Sequence, residues 1–261
     1  MKKLFVCGDS WMSPTIKYPK THFSEKFAEK IGYELISYAH SGMSNGGIAI
    51  QIDTAIQQKA DLILFNSTGF DRIEFFKDSD LKKPEPLNLS NLNVSDLLYY
   101  DSCALSTVQK RKNDNTTLIS DSLNTLISIF DNKMKTELTE LAPDLERKLK
   151  IIKQYVLELY HPSWKLQLDR MTMYAIANKL HFSGIPYIYC FDPIGAICTG
   201  SNHSNHFKWS WVEPKNYICI DRVNTLIEKS EMTGFDPGYH TSFETQIGLS
   251  DILFAHYNKY F

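Results

Sequence analysis

Three side chains drawn from the two ends of this chain, Ser10, Asp236 and His240, are of the types that together perform acyl transfer. Ser10 follows the short apolar run Leu4-Phe5-Val6-Cys7 through Gly8-Asp9. A buried strand of that kind delivers a serine to the carboxyl edge of a sheet, where α/β proteins hold their ligands, and Gly8 allows the tight turn needed there. A serine hydroxyl is a poor nucleophile at neutral pH until a neighbouring base takes its proton, and a histidine held by a carboxylate is the usual base. Asp236 and His240 share the segment Phe235-Asp236-Pro237-Gly238-Tyr239-His240-Thr241-Ser242. Gly-Asp-Ser alone is the composition of many plain turns, so the reading depends on pairing the two segments.

Together with Gly42 in Ser41-Gly42-Met43-Ser44-Asn45-Gly46-Gly47, these segments resemble the SGNH (GDSL-like) hydrolase family, in the family's order, over roughly residues 4–75 and 184–261. The resemblance implies a serine esterase or acyl hydrolase with Ser10 as nucleophile, His240 as base and Asp236 as the acid that orients it. It further implies that the backbone N–H groups of Ser10 and Gly42 bind the oxyanion, and that no metal or organic cofactor is needed. Two places depart from the family pattern. The third block should read Gly-x-Asn-Asp after a strand, whereas this chain has Phe65-Asn66-Ser67-Thr68-Gly69-Phe70-Asp71-Arg72. Asn66 falls at the strand end, which leaves Ser67, Thr68 or Asn45 to supply a third oxyanion donor, or a hole with only two. One missing donor costs about 10²–10³ in rate. Asp236 also precedes His240 by four residues instead of three. Pro237-Gly238 can absorb the extra residue as a bulged turn, and Asp192, at the end of a later strand, is the alternative acid.

The elements that must position these groups follow a β-α-β-α-β pattern in the first third. Leu4–Cys7, Glu34–Ala39 and Asp61–Asn66 read as strands. A helix capped by Thr21 runs through Ile31 with Phe23, Phe27, Ala28 and Ile31 on its apolar face, and another begins at Ser44 or Asn45 and contains Ile48, Ile52, Ala55 and Ile56. A helix over Trp164–Phe182, ended by Gly184, leads to a buried strand at Pro186–Phe191. A final helix follows His240, punctuated by Phe243, Ile247, Ile252, Leu253 and Ala255. Short connections between such elements specify a parallel, doubly wound sheet. The expected fold is α/β, a three-layer α/β/α arrangement with a central parallel sheet of the SGNH/flavodoxin-like kind, in one domain over residues 1–261. A helical insertion is expected at about 77–165. Within it, Lys77–Asp96 and Gln109–Thr117 read as loops, and Thr117–Leu141 and Leu145–Tyr160 as helices that pack beside the core, cap the site or form an oligomer surface.

Composition agrees with an enzyme of this size. With 261 residues, 43% hydrophobic, the chain can bury a full core, and a net charge of −2 gives no general affinity for nucleic acid or anionic membrane. The apolar run after Met1-Lys2-Lys3 is too short for a signal peptide, and no stretch has the length of a membrane span. The expected setting is cytoplasmic, with later release or assembly into a particle left open. The five cysteines lack metal-ligand spacing and read as reduced, mostly buried thiols. Trp11 beside Ser10, Arg72 past the third strand and Trp209 in the loop Ser201–Trp211 are candidate substrate contacts. His203 and His206 lack an evident third metal ligand. The expected partner is a small-molecule or glycan ester, with a small acyl group on a carbohydrate favoured by the tryptophan-bearing loop. A homo-oligomer is left open, as is a non-catalytic binding or structural module that retains the fold. A phosphate binder using Gly42–Gly47 as an anion loop would lack the P-loop lysine and leave Ser10 and His240 unexplained.

Overall fold

A computed structural model of the protein describes residues 1–9, 11–14, 19–39, 43–68, 73–76, 97–100, 154–155, 158–159, 162–190, 214–216 and 242–261. Its centre is a four-stranded sheet of β1 (Lys3–Cys7), β2 (Glu34–Ser37), β3 (Leu62–Phe65) and β6 (Tyr187–Tyr189). Their order is β2-β1-β3-β6 and every pairing is parallel. β1 and β3 are central and covered on both faces, which is why both read as unbroken apolar runs instead of alternating ones. Phe5 sits opposite Ile63 and Cys7 opposite Phe65, so the two strands end level with each other.

Alternate residues along a strand point to opposite faces, and each face has its own core. Leu4, Val6, Leu62, Leu64 and Ile188 cluster with Phe23, Phe27 and Ala28 of α1 (Phe23–Ile31) and with Leu249 and Leu253 of α4 (Phe243–Tyr260). Phe5, Cys7, Ile63, Phe65, Tyr187 and Tyr189 cluster with Ile48, Ile52 and Ala55 of α2 (Asn45–Gln57) and with Met173, Ile176, Ala177 and Leu180 of α3 (Pro162–Ser183). Each strand-to-helix step therefore buries a stripe of helix on one sheet face.

The caps explain where the helices begin. Ser44 is the N-cap of α2, its hydroxyl accepting from Gly47 N–H at 3.2 Å. α3 starts at Pro162, whose missing N–H costs nothing in a first turn, and the chain leaves it through Gly184 at φ +70°. For α1 the expected Thr21 cap is corrected to His22. Its Nδ1 accepts from Ser24 N–H at 3.3 Å, while Glu25 Oε2 accepts from His22 N–H at 3.0 Å. An imidazole serves because an unprotonated ring nitrogen offers the acceptor that a hydroxyl would. In α4 the buried residues are Thr245, Gln246, Leu249, Ser250 and Leu253, whereas Phe243, Ile247 and Ala255 are exposed. The expected apolar face is thus rotated, because Thr245 and Gln246, polar side chains hydrogen-bonded within the fold, occupy part of the true one.

A second sheet pairs β4 (Ile73–Phe76) with β5 (Leu97–Tyr100) in antiparallel register, Ile73 opposite Tyr100. The sequence reading missed both strands, since four-residue runs show too little periodicity to be told from loop. The expected loops Lys77–Asp96 and Gln109–Thr117 and the helix Thr117–Leu141 lie outside the described residues, as does most of Leu145–Tyr160. Among the described residues no helix is long and apolar enough to cross a membrane. Cys7 is a free, buried thiol whose burial pushes its pKa up.

α1 and α4 run in the same direction. Phe23 N–H donates to Gln246 Oε1 at 2.8 Å near their starts, Lys30 pairs with Asp251, and the Tyr33 and Tyr257 hydroxyls meet at 3.0 Å near their ends. Both helices thus begin at the carboxyl edge of the sheet. Burial lowers the pKa of His22 from 6.5 to about 4, against the smaller opposing pull of the Trp11 carbonyl. The unfolded chain consequently binds the extra proton first, so folding stability is full above about pH 6.5 and is lost as the pH falls toward 4, by an amount on the order of 3 kcal/mol. Thermal unfolding followed from pH 7 to pH 4 should show this slope in the wild type and lose most of it in His22→Asn, which keeps a capping acceptor that does not titrate.

Candidate active site

β1 is flanked by β2 on one side and β3 on the other, so the chain reverses its direction of winding between them. At such a switch point the loops leaving adjacent strands diverge and a crevice opens at the carboxyl ends. Gly8 and Asp9 leave β1 at this point, and Asn66, Ser67 and Thr68 leave β3 beside them.

The two strand ends are tied by a reciprocal pair of hydrogen bonds. Asn66 Nδ2 donates to Asp9 Oδ1 at 2.9 Å, and Asp9 N–H donates to Asn66 Oδ1 at 3.3 Å. Thr68 Oγ1 donates to Asp9 Oδ2 at 3.0 Å, and Trp11 N–H donates to Asp9 Oδ1 at 3.1 Å. The Asp9 carboxylate is fully buried, and a buried carboxylate is tolerable only when donors replace the water it has lost. Asp9 O also accepts from Met12 N–H at 3.0 Å. Ser10 lies between these anchored neighbours in the chain and is itself outside the described residues.

Gly8 is required by this packing. A Cβ built there would fall on Asn66 Oδ1 and lie 2.5 Å from Met12 Cγ, and φ is +152°. Its N–H donates to Gln51 Oε1 of α2 at 2.6 Å. Trp11 O accepts from His22 Nε2 at 3.0 Å. A carbonyl can only accept, so Nε2 carries the proton and the neutral ring leaves Nδ1 to receive the Ser24 N–H and hydroxyl. One histidine thereby caps α1 and holds the turn that follows Gly8.

The segment after Gly42 joins the same cluster through Asn45. Asn45 Oδ1 accepts from Thr68 N–H at 2.9 Å, and Nδ2 donates to Thr68 O at 2.9 Å and to Asp169 Oδ2 of α3 at 3.0 Å. Ser67 Oγ and the Tyr189 hydroxyl meet at 2.6 Å. Asn66 stands one residue beyond β3, although its N–H still reaches Cys7 O at 3.4 Å.

Of the residues singled out by sequence, the structure therefore brings Asn45 and Thr68 together and places half-buried Trp11 on the same turn as Asp9. Both Nδ2 protons of Asn45, and the N–H and O–H of Thr68, are engaged in the bonds above. Ser10, Gly42, Arg72, Asp192, His203, His206, Trp209, Asp236 and His240 lie outside the described residues. The first described residue after His240 in the chain is Ser242, the N-cap of α4, whose hydroxyl accepts from Thr245 N–H at 3.3 Å. Sequence reasoning missed Asp9, Gln51, His22 and Asp169 as parts of this cluster. Gln51 and Asp169 had a legible sign, since each stands at helical spacing on an otherwise apolar stripe, next to Ile48 and Ile52 or ahead of Met173, Ile176 and Ala177.

No protein-family model matches the chain, and no curated protein does. The packing at Gly8 gives a direct check. Gly8→Ala should destabilise the fold by about 2 kcal/mol or more, because the methyl must displace Asn66 or Met12 and thereby part Asn66 from Asp9. Denaturant unfolding measures this, and a shift below about 0.5 kcal/mol would mean that the turn accommodates a side chain without loss.

Proposed function

We propose that the protein is a serine hydrolase of the SGNH type, cleaving a carboxylic ester through an acyl-serine intermediate, on a three-layer α/β/α fold. The observation that carries the reading is the convergence at one switch point of residues adjoining three of the four family-like segments. Asp9 next to Ser10, Asn45 close to Gly42, and Asn66–Thr68 of the third segment form one hydrogen-bonded cluster. The fourth segment precedes α4, whose Gln246 bonds Phe23 at the start of α1, next to the His22 that holds Trp11. This chain of contacts supports an approach of His240 to Ser10 from the side of α1 and α4.

In the proposed reaction His240, oriented by Asp236, takes the Ser10 proton as Ser10 Oγ attacks the ester carbonyl carbon. The carbonyl electron pair moves onto oxygen and is held by the N–H groups of Ser10 and Gly42. Collapse expels the alcohol, which receives the proton from His240, and water repeats the sequence to release the acid. A donor from the Asn45 or Thr68 side chains would have to be taken from a bond that the cluster uses, so we assign the hole to the two backbone groups and expect slow turnover. The aromatic loop containing Trp209, with Trp11 and Arg72, favours a small acyl group on a carbohydrate.

A fluorophosphonate probe should label the wild-type protein at Ser10, and Ser10→Ala should lose both labelling and hydrolysis of a short-chain activated ester, by about 10³-fold or more, while melting normally. Asp236→Ala should lower kcat with the fold intact. Loss in Asp192→Ala instead would transfer the orienting role to that acid. Wild-type protein that neither labels nor hydrolyses esters between neutral and mildly alkaline pH would leave the cluster as the scaffold of a non-catalytic binding module.

A further inference from the structure

We infer that Asp169, paired with Lys165 on α3, is a positioning residue for the Ser10 site, acting through Asn45 on the peptide of Thr68. The inference rests on the hydrolase reading for its consequence and on geometry for its substance. Asp169 Oδ2 accepts from Asn45 Nδ2 at 3.0 Å, and Asp169 Oδ1 pairs with Lys165 Nζ at 2.5 Å. The side chains of Lys165 and Asp169 are only 11% and 3% exposed.

A buried ion pair is a costly way to dock a helix, because the water removed from both charges is scarcely repaid by their attraction. α3 does not need one for that purpose. Met173, Ile176, Ala177 and Leu180 already seat it in the core shared with α2, and Lys179 pairs with Asp53 of α2 farther along. What Asp169 adds is direction. Its carboxylate takes the second proton of Asn45 Nδ2, while Thr68 O takes the first and Thr68 N–H supplies Oδ1. Flipping the amide would set Oδ1 against two acceptors and Nδ2 against a donor, so the amide plane of Asn45 is determined three times over. The Thr68 peptide is fixed by that plane, the Thr68 hydroxyl donates to Asp9, and Asp9 accepts from the N–H of Trp11, the residue after Ser10 in the chain. The contact with Lys165 Nζ holds the Asp169 carboxylate in place, one oxygen toward Lys165 and the other toward Asn45.

The test uses the full chain with Lys165→Met and Asp169→Leu combined, which removes the pair but keeps apolar volume, a change that usually leaves stability near its original value. Hydrogen exchange at the Thr68 amide should become roughly tenfold faster or more, with no comparable change at Phe5 or Leu64 in the strands. Fluorophosphonate labelling of Ser10 should slow on the order of 10²-fold, and ester turnover should lose kcat rather than raise KM. Asn45→Ala should produce the same losses, and adding it to the double variant should cost little more, as residues in one path do. It also serves as the probe if the double variant does not fold. Unchanged Thr68 exchange overturns the positioning role whatever the activity. Faster exchange in a protein whose wild type never labels upholds the role in the scaffold and removes the hydrolase reading instead.

Discussion

A carboxylate buried at the end of a central strand must be given donors, and the pairing of Asp9 with Asn66 is the contact on which the rest of this sheet edge depends. Removed from water, Asp9 is held by Asn66 Nδ2, Thr68 Oγ1 and Trp11 N–H. Those donors come from the ends of two strands that are neighbours only because β1 and β3 pair in parallel with their ends level. Burial of the charge therefore enforces the register of the two loops. Gly8 has no side chain because Asn66 must approach the backbone there, and Gln51 must present its amide oxygen to Gly8 N–H because that edge of the turn is closed to water.

Around this centre the helices act as struts whose first turns all face the same edge. α2 begins at Ser44 and places Asn45 against Thr68, α1 begins at His22 and holds Trp11, and α4 begins at Ser242 and reaches the first turn of α1 through Gln246. Each strut is anchored in apolar packing and finished in a polar contact. The division is physical: hydrophobic burial sets which face a helix covers but is non-directional, whereas hydrogen bonds to backbone groups decide the position of a loop within a few tenths of an ångström. His22 shows the economy of the arrangement, since neutrality forced by burial gives the ring one donor for Trp11 and one acceptor for its own helix.

The hydrogen bonds also bear on how the proposed chemistry could differ from that of the resembled family. Asn66 occupies the region where a side-chain donor to an oxyanion is expected, yet it is committed to Asp9, and Asn45 and Thr68 are committed to each other. With these side-chain donors turned inward, the proposed reaction assigns the oxyanion to backbone N–H groups.

Much of the central fold was legible in the sequence. Unbroken apolar runs at Leu4–Cys7 and Leu62–Phe65, bounded by turn residues, read as strands covered on both faces, and the 3.6-residue spacing of Phe23, Phe27 and Ala28, or of Ile48, Ile52 and Ala55, placed helices between them. The order of elements then called for a parallel sheet with its turns gathered at one edge. What the sequence could not determine was which polar residue meets which. Asn66 and Asp9 are 57 positions apart and Asn45 and Asp169 are 124 apart, and no local spacing encodes such pairs. His22 took the cap from Thr21, and the hydrogen-bonded Thr245 and Gln246 turned the buried face of α4 away from Phe243 and Ile247. Hydrophobic periodicity is a property of one segment and can be read along the chain, whereas the satisfaction of a buried polar group belongs to two segments and is settled only when tertiary structure brings them together.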